Sequence, residues 1–536
     1  MISNKKNLHK IAKLSRKGYT LKKKDIHPNL LIELRESLKV APKTHRDYQQ
    51  FAEEFYVFSE SVSNIYLPRF WAIENLGKPN KMLIKNGDKV DINCSFTPFD
   101  YQLPIINKIH NDIITTGGSI LCVGCGLGKT FMSLYIAAKL KQKTLVVVHT
   151  SVLLTQWVER INQFLPGARI GLIRGNKFET EDKDICIAML QTLTSKGRKF
   201  QKDVFDCFGF LISDEVHHMA APTFSKALPL ISTKYMLGLS ATPKRVDQLQ
   251  KVFQWYLGDI GWHEKKRSGF ALIKYIKYTE DGFVEQRRWN NSYDLPKMTE
   301  IIIGSKVRNK FLVDHAINFA KLGRQVLLLS ARRNHLIYLQ KLINHRKKNK
   351  QINEIIKTFF PNHDNIQSKI LDYYEINITT GLYIGQMKPE ELELSSKCNI
   401  ILGTYSLVSE GTDIPTLNTL VMASPKKSIQ QVVGRILRAD TGYTPLVFDI
   451  CDDFSIYTNQ GKARQKYYKM QDYHIDEFTK FSNENIKYKN ERIFIEDKIQ
   501  TEGLFKKKKT KPRKTKKKDP IKPKDTKCLM VFSDSD

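Results

Sequence analysis

Eight short apolar runs, arriving in two groups of four, constrain this chain more than any other feature. TLVVVH (144–149), DICIAML (184–190), FGFLISDE (208–215) and YMLGLSAT (235–242) form the first group. QVLLLSA (325–331), NIILGTYS (399–406), NTLVMAS (418–424) and TPLVFDI (444–450) form the second. Each run is apolar at successive positions, which suits a strand buried on both faces, as in a parallel sheet covered by helices. Longer mixed segments separate the runs, and strand alternating with helix implies an α/β domain. Two groups therefore predict two α/β domains in tandem.

At 536 residues the chain has room for more than these two, since about 100–200 residues make a domain. We expect an N-terminal accessory domain over 1–90 and the first α/β domain over 91–255. A linker rich in aromatic and charged residues then spans 256–300, and the second α/β domain 301–455. A C-terminal extension covers 456–504 and a basic tail 505–536. Residues 344–377 read as a polar, basic insertion. The accessory domain carries FAEEFYVFSESVSNIYLPRFWAI (51–73). Tyr66, Arg69, Phe70 and Trp71 in it could stack on bases, but a packed core is the favoured reading.

Charge narrows the partner. Lys and Arg number 87 against 55 Asp and Glu, a net of +32, and such an excess points to a polyanion, above all nucleic acid. Phe505–Lys527 holds thirteen Lys or Arg and two Asp, leaving the rest of the chain at +21. Such a like-charge block is expected to be disordered and to meet polyanions, or to act as a localisation signal. No stretch reaches the ~20 apolar residues of a membrane helix. MISNKKNLHKIAKLSRKGY lacks the apolar segment of a secretory signal. A soluble intracellular protein with no membrane partner is expected. The eight cysteines are scattered, and the one CxxC (Cys122, Cys125) has no second pair, so neither disulfides nor zinc are expected.

The chemistry sits at the ends of the apolar runs. SILCV is followed by GCGLGKT (Gly124, Cys125, Gly126, Leu127, Gly128, Lys129, Thr130) and then by FMSLYIAAKL at helical spacing. A glycine-rich turn from strand to helix aims backbone N–H groups at phosphate. Lys129 would reach the outer phosphates, and Thr130 would hold Mg²⁺. LISDEVHH (211–218) ends a strand in two carboxylates. Asp214 would order Mg²⁺, and Glu215 would orient or deprotonate the attacking water. His217 and His218 lack partners at metal-ligand spacing.

Ser240, Ala241 and Thr242 end the next run, where hydroxyls could report nucleotide state to the DEVH turn. Gln102 of FDYQ could read adenine. VVVHTSVLLTQW (146–157) either touches a nucleic-acid backbone or packs Leu153, Leu154 and Trp157 into the core. In the second domain, QQVVGRILR (430–438) places Arg435 and Arg438 on one helix face. Arginine at a γ-phosphate can be worth roughly 10³–10⁵ in rate. Asp413 of SEGTDIP is expected to contact the ribose or to couple the domains. Ser330 and Thr404, at strand ends, are candidates for backbone phosphate.

Taken in order and spacing, GCGLGKT, DEVHH, SAT, SEGTDIP and QQVVGRILR resemble the motifs of superfamily 2 DExH helicases over about residues 95–455. The departure of Val123 from the first P-loop glycine matches the helicase form AxxGxGKT. DEVHH and GLSATPKR look like the XPB/UvsW-like branch. NIYLPRFWAI and the Lys-rich composition are similar to the transcript-release DNA helicases of large DNA viruses, the poxvirus type. No RED tripeptide and no nuclease motif is present. The resemblance implies two RecA-like domains, ATP and Mg²⁺ as cofactors, and Lys129 and Thr130 working with Arg435 and Arg438. It implies a DNA partner, with RNA as the runner-up, and RNA polymerase or its transcription machinery as a protein partner. For a viral protein it also implies the host cytoplasm and the virion as locations. A DNA-repair or recombination helicase and a non-catalytic nucleic-acid-binding scaffold are the remaining alternatives.

Overall fold

A computed structural model describes residues 1–42, 53–124, 126–195, 200–201, 203–216, 221–241, 249–264, 270–346, 378–411, 414–437, 441–482 and 487–488. The expected insertion beyond residue 346 and the basic tail lie outside these residues. The chain divides into two units, Met1–Lys265 and Lys266–Asp536.

The first unit is built on an eight-stranded sheet. Its order is Lys177–Phe178, Ile170–Arg174, Ile185–Met189, Thr144–Val148, Phe210–Ser213, Tyr235–Ser240, Gly118–Cys122 and Ile260–His263. Every neighbouring pair is parallel except the first. Gly118–Cys122, Thr144–Val148 and Phe210–Ser213 are buried at every residue, as their unbroken apolar runs require. Burying each large apolar side chain contributes about 1.5–3 kcal/mol, so a charge at Val146 or Leu211 would break this layer. Helices Gln102–Thr116, Lys129–Leu140, Ser151–Phe164 and Gln250–Leu257 cover it. Gln102–Thr116 buries Ile105, Ile106, Ile109 and Ile113 along one stripe. It stops at Gly117, whose φ of 90° is left-handed.

The N-terminal module of this unit has its own five-stranded sheet: Ser59–Glu60, Asn64–Leu67, Gly18–Lys22, Lys13–Ser15 and Lys81–Met82. Alternation decides its faces. Leu14, Tyr19, Leu21, Ile65 and Leu67 point into a core that also holds Trp71. Phe70 packs on the neighbouring core of the larger sheet. Arg69 is buried between the two sheets, and its guanidinium donates to the carbonyls of Thr116, Thr233 and Lys234. Burial pushes that guanidinium down, to about 10. Trp71, Phe70 and Arg69 therefore serve packing, in line with the favoured sequence reading.

The second unit repeats the plan. Its sheet runs Thr380–Tyr383, Ile400–Thr404, Val326–Ser330, Thr419–Met422, Leu446–Asp452, Leu272–Thr279, His474–Phe481 and Lys487–Tyr488. All pairs are parallel except the last. Here the structure departs from the expected linker over 256–300. Ile260–His263 completes the first sheet, and Leu272–Thr279 is an interior strand of the second. LIKYIKYT reads as charged, but Lys274 is buried and paired with Asp476 of the adjoining strand at 2.8 Å. The segment 474–481, expected in an extension, is that adjoining strand. Two further buried pairs, Arg308 with Asp452 and Arg464 with Asp449, tie helices to the same sheet.

Candidate active site

Parallel strands place all their C-terminal ends on one edge, where α/β sheets bind ligands. In the first unit Ser240 pairs with Cys122, and Gly238 pairs with Ser213. The strand ending in Ser240 thus lies between the one leading to Gly124 and the one leading to Asp214. Three motifs separated by about 110 residues of sequence meet at one edge for this reason alone. The Val123 N–H donates to the Ser240 carbonyl, joining the first and third of them.

The glycine turn is shaped by its residues. Gly126 and Gly128 have φ of 86° and 83°, conformations that side chains rarely adopt. Gly128 caps the helix Lys129–Leu140, so Lys129 opens the helix. Only 9% of Lys129 is exposed. Its Nζ donates to the Val123 carbonyl at 3.3 Å and lies 3.6 Å from Glu215 Oε1. Glu215 itself has φ of 46°, a strained backbone for a residue with a Cβ. This places its carboxylate at the lysine as the chain turns out of the strand.

Asp214 is 5% exposed, yet both of its oxygens have donors. The Glu215 N–H donates to Oδ1 at 2.8 Å, and the indole N–H of Trp157 donates to Oδ2 at 2.8 Å. Burial and the adjacent Glu215 charge push the Asp214 carboxyl up, to about 6, while Trp157 and Lys129 act against that rise. Trp157 is 1% exposed and sits on the helix Ser151–Phe164, which Thr150 caps by accepting from the Leu153 N–H. Leu153, Leu154 and Trp157 are core residues, as one of the two sequence readings held. The hydrogen bond from Trp157 to Asp214 had no signal in the sequence, because nothing in QW tells where an indole N–H will point.

Gln102 is buried beside the turn. It accepts from the Phe99 N–H, and its amide donates to the Leu127 carbonyl at 3.4 Å. Tyr101 stacks on Phe99 with ring centroids 5.7 Å apart. Thr130 is half-buried in the first helical turn. Burial pushes the Cys122 thiol up, to about 12, so it stays a thiol. Cys125, His217, His218 and Thr242 lie outside the described residues.

In the second unit Arg435 is buried just after the helix Gln430–Val433. Arg438 and Asp413 lie outside the described residues. Thr404 is half-buried at its strand end. Ser330 corrects an expectation: it is wholly buried, and its hydroxyl accepts from the Arg332 N–H and bonds His335 Nδ1. A hydroxyl so enclosed shapes the loop and does not present itself to a phosphate.

The chain is similar to several known proteins. Residues 95–245 match the family model described as the type III restriction enzyme, res subunit. A protein of Acanthamoeba polyphaga mimivirus, assigned as an ATP-dependent RNA helicase, is 31% identical over 90% of this chain and 89% of its own length. An African swine fever virus protein with the same assignment is 25% identical over 72% of this chain and 74% of its own. Among solved structures, the fragment assigned to a type I restriction-enzyme HsdR subunit of Vibrio vulnificus shares the fold. It aligns with a TM-score of 0.50 and 18% identity, over 74% of this chain and 71% of that one. Among the described residues no helix is long and apolar enough to cross a membrane. So similar to a viral helicase along nine-tenths of its length, the chain is an ATP-using, nucleic-acid-binding enzyme and belongs to the superfamily 2 helicases of large DNA viruses.

Proposed function

We propose that this helicase is an ATP- and Mg²⁺-dependent DNA helicase or translocase that serves viral transcription by releasing transcripts from the polymerase. The observation that carries the ATP chemistry is the placement of Lys129 within 3.6 Å of Glu215, with Asp214 held alongside. Lys129 takes the outer phosphates, which draws it from Glu215 and leaves that carboxylate to orient the attacking water. Thr130 and Asp214 are a donor set suited to Mg²⁺, which takes few protein oxygens and completes its shell from phosphate and water. When bound, the ion supplies positive charge to the phosphate oxygens. Gln102 orients the base, Asp413 the ribose, and Arg435 and Arg438 stabilise negative charge developing on the γ-phosphate.

The DNA preference rests on the resemblance to the XPB/UvsW-like branch and to the transcript-release helicases. The naming of the viral relatives favours a second reading, an RNA helicase. Hydrolysis measured without nucleic acid, with single-stranded DNA, duplex DNA and RNA decides between them, beside a Glu215→Gln control. DNA stimulation that vanishes in the control supports the proposal. Stimulation by RNA alone establishes the second reading, and no stimulation by any of them removes both.

A further inference from the structure

The N-terminal module turns one face of its sheet away from its core, and that face is built of lysines and hydroxyl groups. The strand register puts Lys81, Lys13, Thr20, Tyr66 and Ser59 in one row across five strands. Lys22 lies opposite Asn64, two residues along from Thr20 and so on the same face. Lys17, in the hairpin turn beside the row, lies over the Tyr66 ring at 5.1 Å. Four inter-strand spacings of about 4.8 Å give the row a width of roughly 19 Å. That is the length of about five or six phosphates along one DNA strand.

Charge identifies the occupant. Residues 1–42 contain eleven Lys or Arg and three Asp or Glu, a net of +8. Among the described residues Lys13, Lys17, Lys22 and Lys81 have no carboxylate within ion-pair distance, whereas Lys23 and Arg35 nearby are paired with Glu60. The single aromatic ring on the face does not make a stacking platform of the kind that holds unpaired bases. Tyr66 is half-buried under Lys17, and its hydroxyl donates to Ser61. The hydroxyls of Ser15 and Thr20 bond each other and the Gly18 carbonyl, which leaves little to read a 2′-hydroxyl. The hairpin is also fixed to the helix and loop that flank the eight-stranded sheet of the first unit. Arg16, beside Lys17, donates to the Leu230 carbonyl and pairs with Asp206 at 3.3 Å.

We propose that this sheet face grips the phosphate backbone of duplex DNA as a second contact, separate from the nucleotide-binding edge. The proposal rests on the DNA reading given above. A grip anchored through Arg16 and Arg69 moves with the first motor sheet, so it holds duplex while the motor strains against it.

The test uses the full chain with Lys13, Lys17 and Lys22 all changed to Gln, binding a short blunt DNA duplex over a range of salt. Each lost phosphate contact lowers the slope of log affinity against log salt by about 0.9, so a fall of about 2–3 is expected. Hydrolysis in the absence of nucleic acid stays unchanged, since no changed residue lies at that edge, and it also reports that the variant is folded. Changing the same three lysines to Arg keeps the slope. An unchanged slope in the folded Gln variant overturns the proposal, as does a loss confined to single strands or equally large for duplex RNA. A parent protein whose hydrolysis ignores DNA would instead remove the functional reading on which the proposal rests.

Discussion

Changing Asp476 to Asn should destabilise the second unit severely, because it removes the carboxylate paired with a buried cation. Lys274 and Asp476 lie directly opposite each other on neighbouring parallel strands. Their side chains are 0% and 2% exposed, and Nζ lies 2.8 Å from Oδ2. At an effective dielectric constant of about 20, unit charges at that distance attract by roughly 6 kcal/mol. The attraction offsets a desolvation cost of several kcal/mol for each ion. Asparagine removes the attraction but leaves the ammonium buried, so a loss of about 3–5 kcal/mol is expected. At roughly 2–4 °C per kcal/mol for a unit of this size, the transition should fall by about 6–20 °C. Urea denaturation gives the global value, and amide hydrogen exchange on 272–279 and 474–481 reports it locally. The double variant Lys274→Met, Asp476→Leu should recover most of the loss, since an apolar pair has no charge to bury. A single variant within about 1 kcal/mol of the parent, or a double variant no better than the single, would refute the pairing of these strands and the reasoning built on it.

Three further outcomes are expected. Trp157→Phe keeps the packed ring but removes the N–H to Asp214, an interaction with a charged group worth about 1.5–3 kcal/mol. The Mg²⁺ concentration for half-maximal hydrolysis should rise about tenfold or more while saturating Mg²⁺ restores the rate, and an unshifted Mg²⁺ titration would count against the role given to Trp157. Gly461→Ala lies in the helix Ile456–Met470, where propensity alone predicts a gain of about 1 kcal/mol. Its Cβ would run into Cys451 Sγ and the Tyr275 hydroxyl. Overpacking of about 1–3 kcal/mol should win, and a raised melting temperature would show that the helix sits further from the sheet.

The third outcome concerns acid. Burial holds His315 and His335 down, to about 4 and about 3. The unfolded chain therefore takes up protons first, near pH 6.5, so their stabilising effect is complete above that pH and is lost as pH falls toward about 4 for His315 and about 3 for His335. His315→Phe, in a site already stacked on Phe448 at 4.7 Å, should flatten the loss between pH 6.5 and 4 by up to about 1.4 kcal/mol per pH unit. Denaturation curves at neutral and acid pH, with an undiminished pH dependence as the contrary result, check this.

The sequence by itself determined the two α/β layers and the candidate residues for nucleotide chemistry. A strand buried on both faces favours an unbroken apolar run, so the LVVV and VLLL of two such strands are legible without knowing their neighbours. Glycines at left-handed positions and carboxylates at a strand end are local signals too, which is why Gly126, Gly128, Lys129, Asp214 and Glu215 stood out. Tertiary structure decided whatever depends on a partner far along the chain. LIKYIKYT is an interior strand only because Asp476, 202 residues later, neutralises Lys274. Ser330 faces His335 and not phosphate because a helix folds back over its strand end. Trp157 reaches Asp214 because two strands 66 positions apart, beginning at Thr144 and Phe210, lie side by side in the sheet. The lysine face of the N-terminal sheet exists only in register, where Lys81, Lys13 and Thr20 come into line. Burial of an apolar side chain needs no particular partner, whereas burial of a charge or a hydrogen bond does, and only the folded chain supplies that partner.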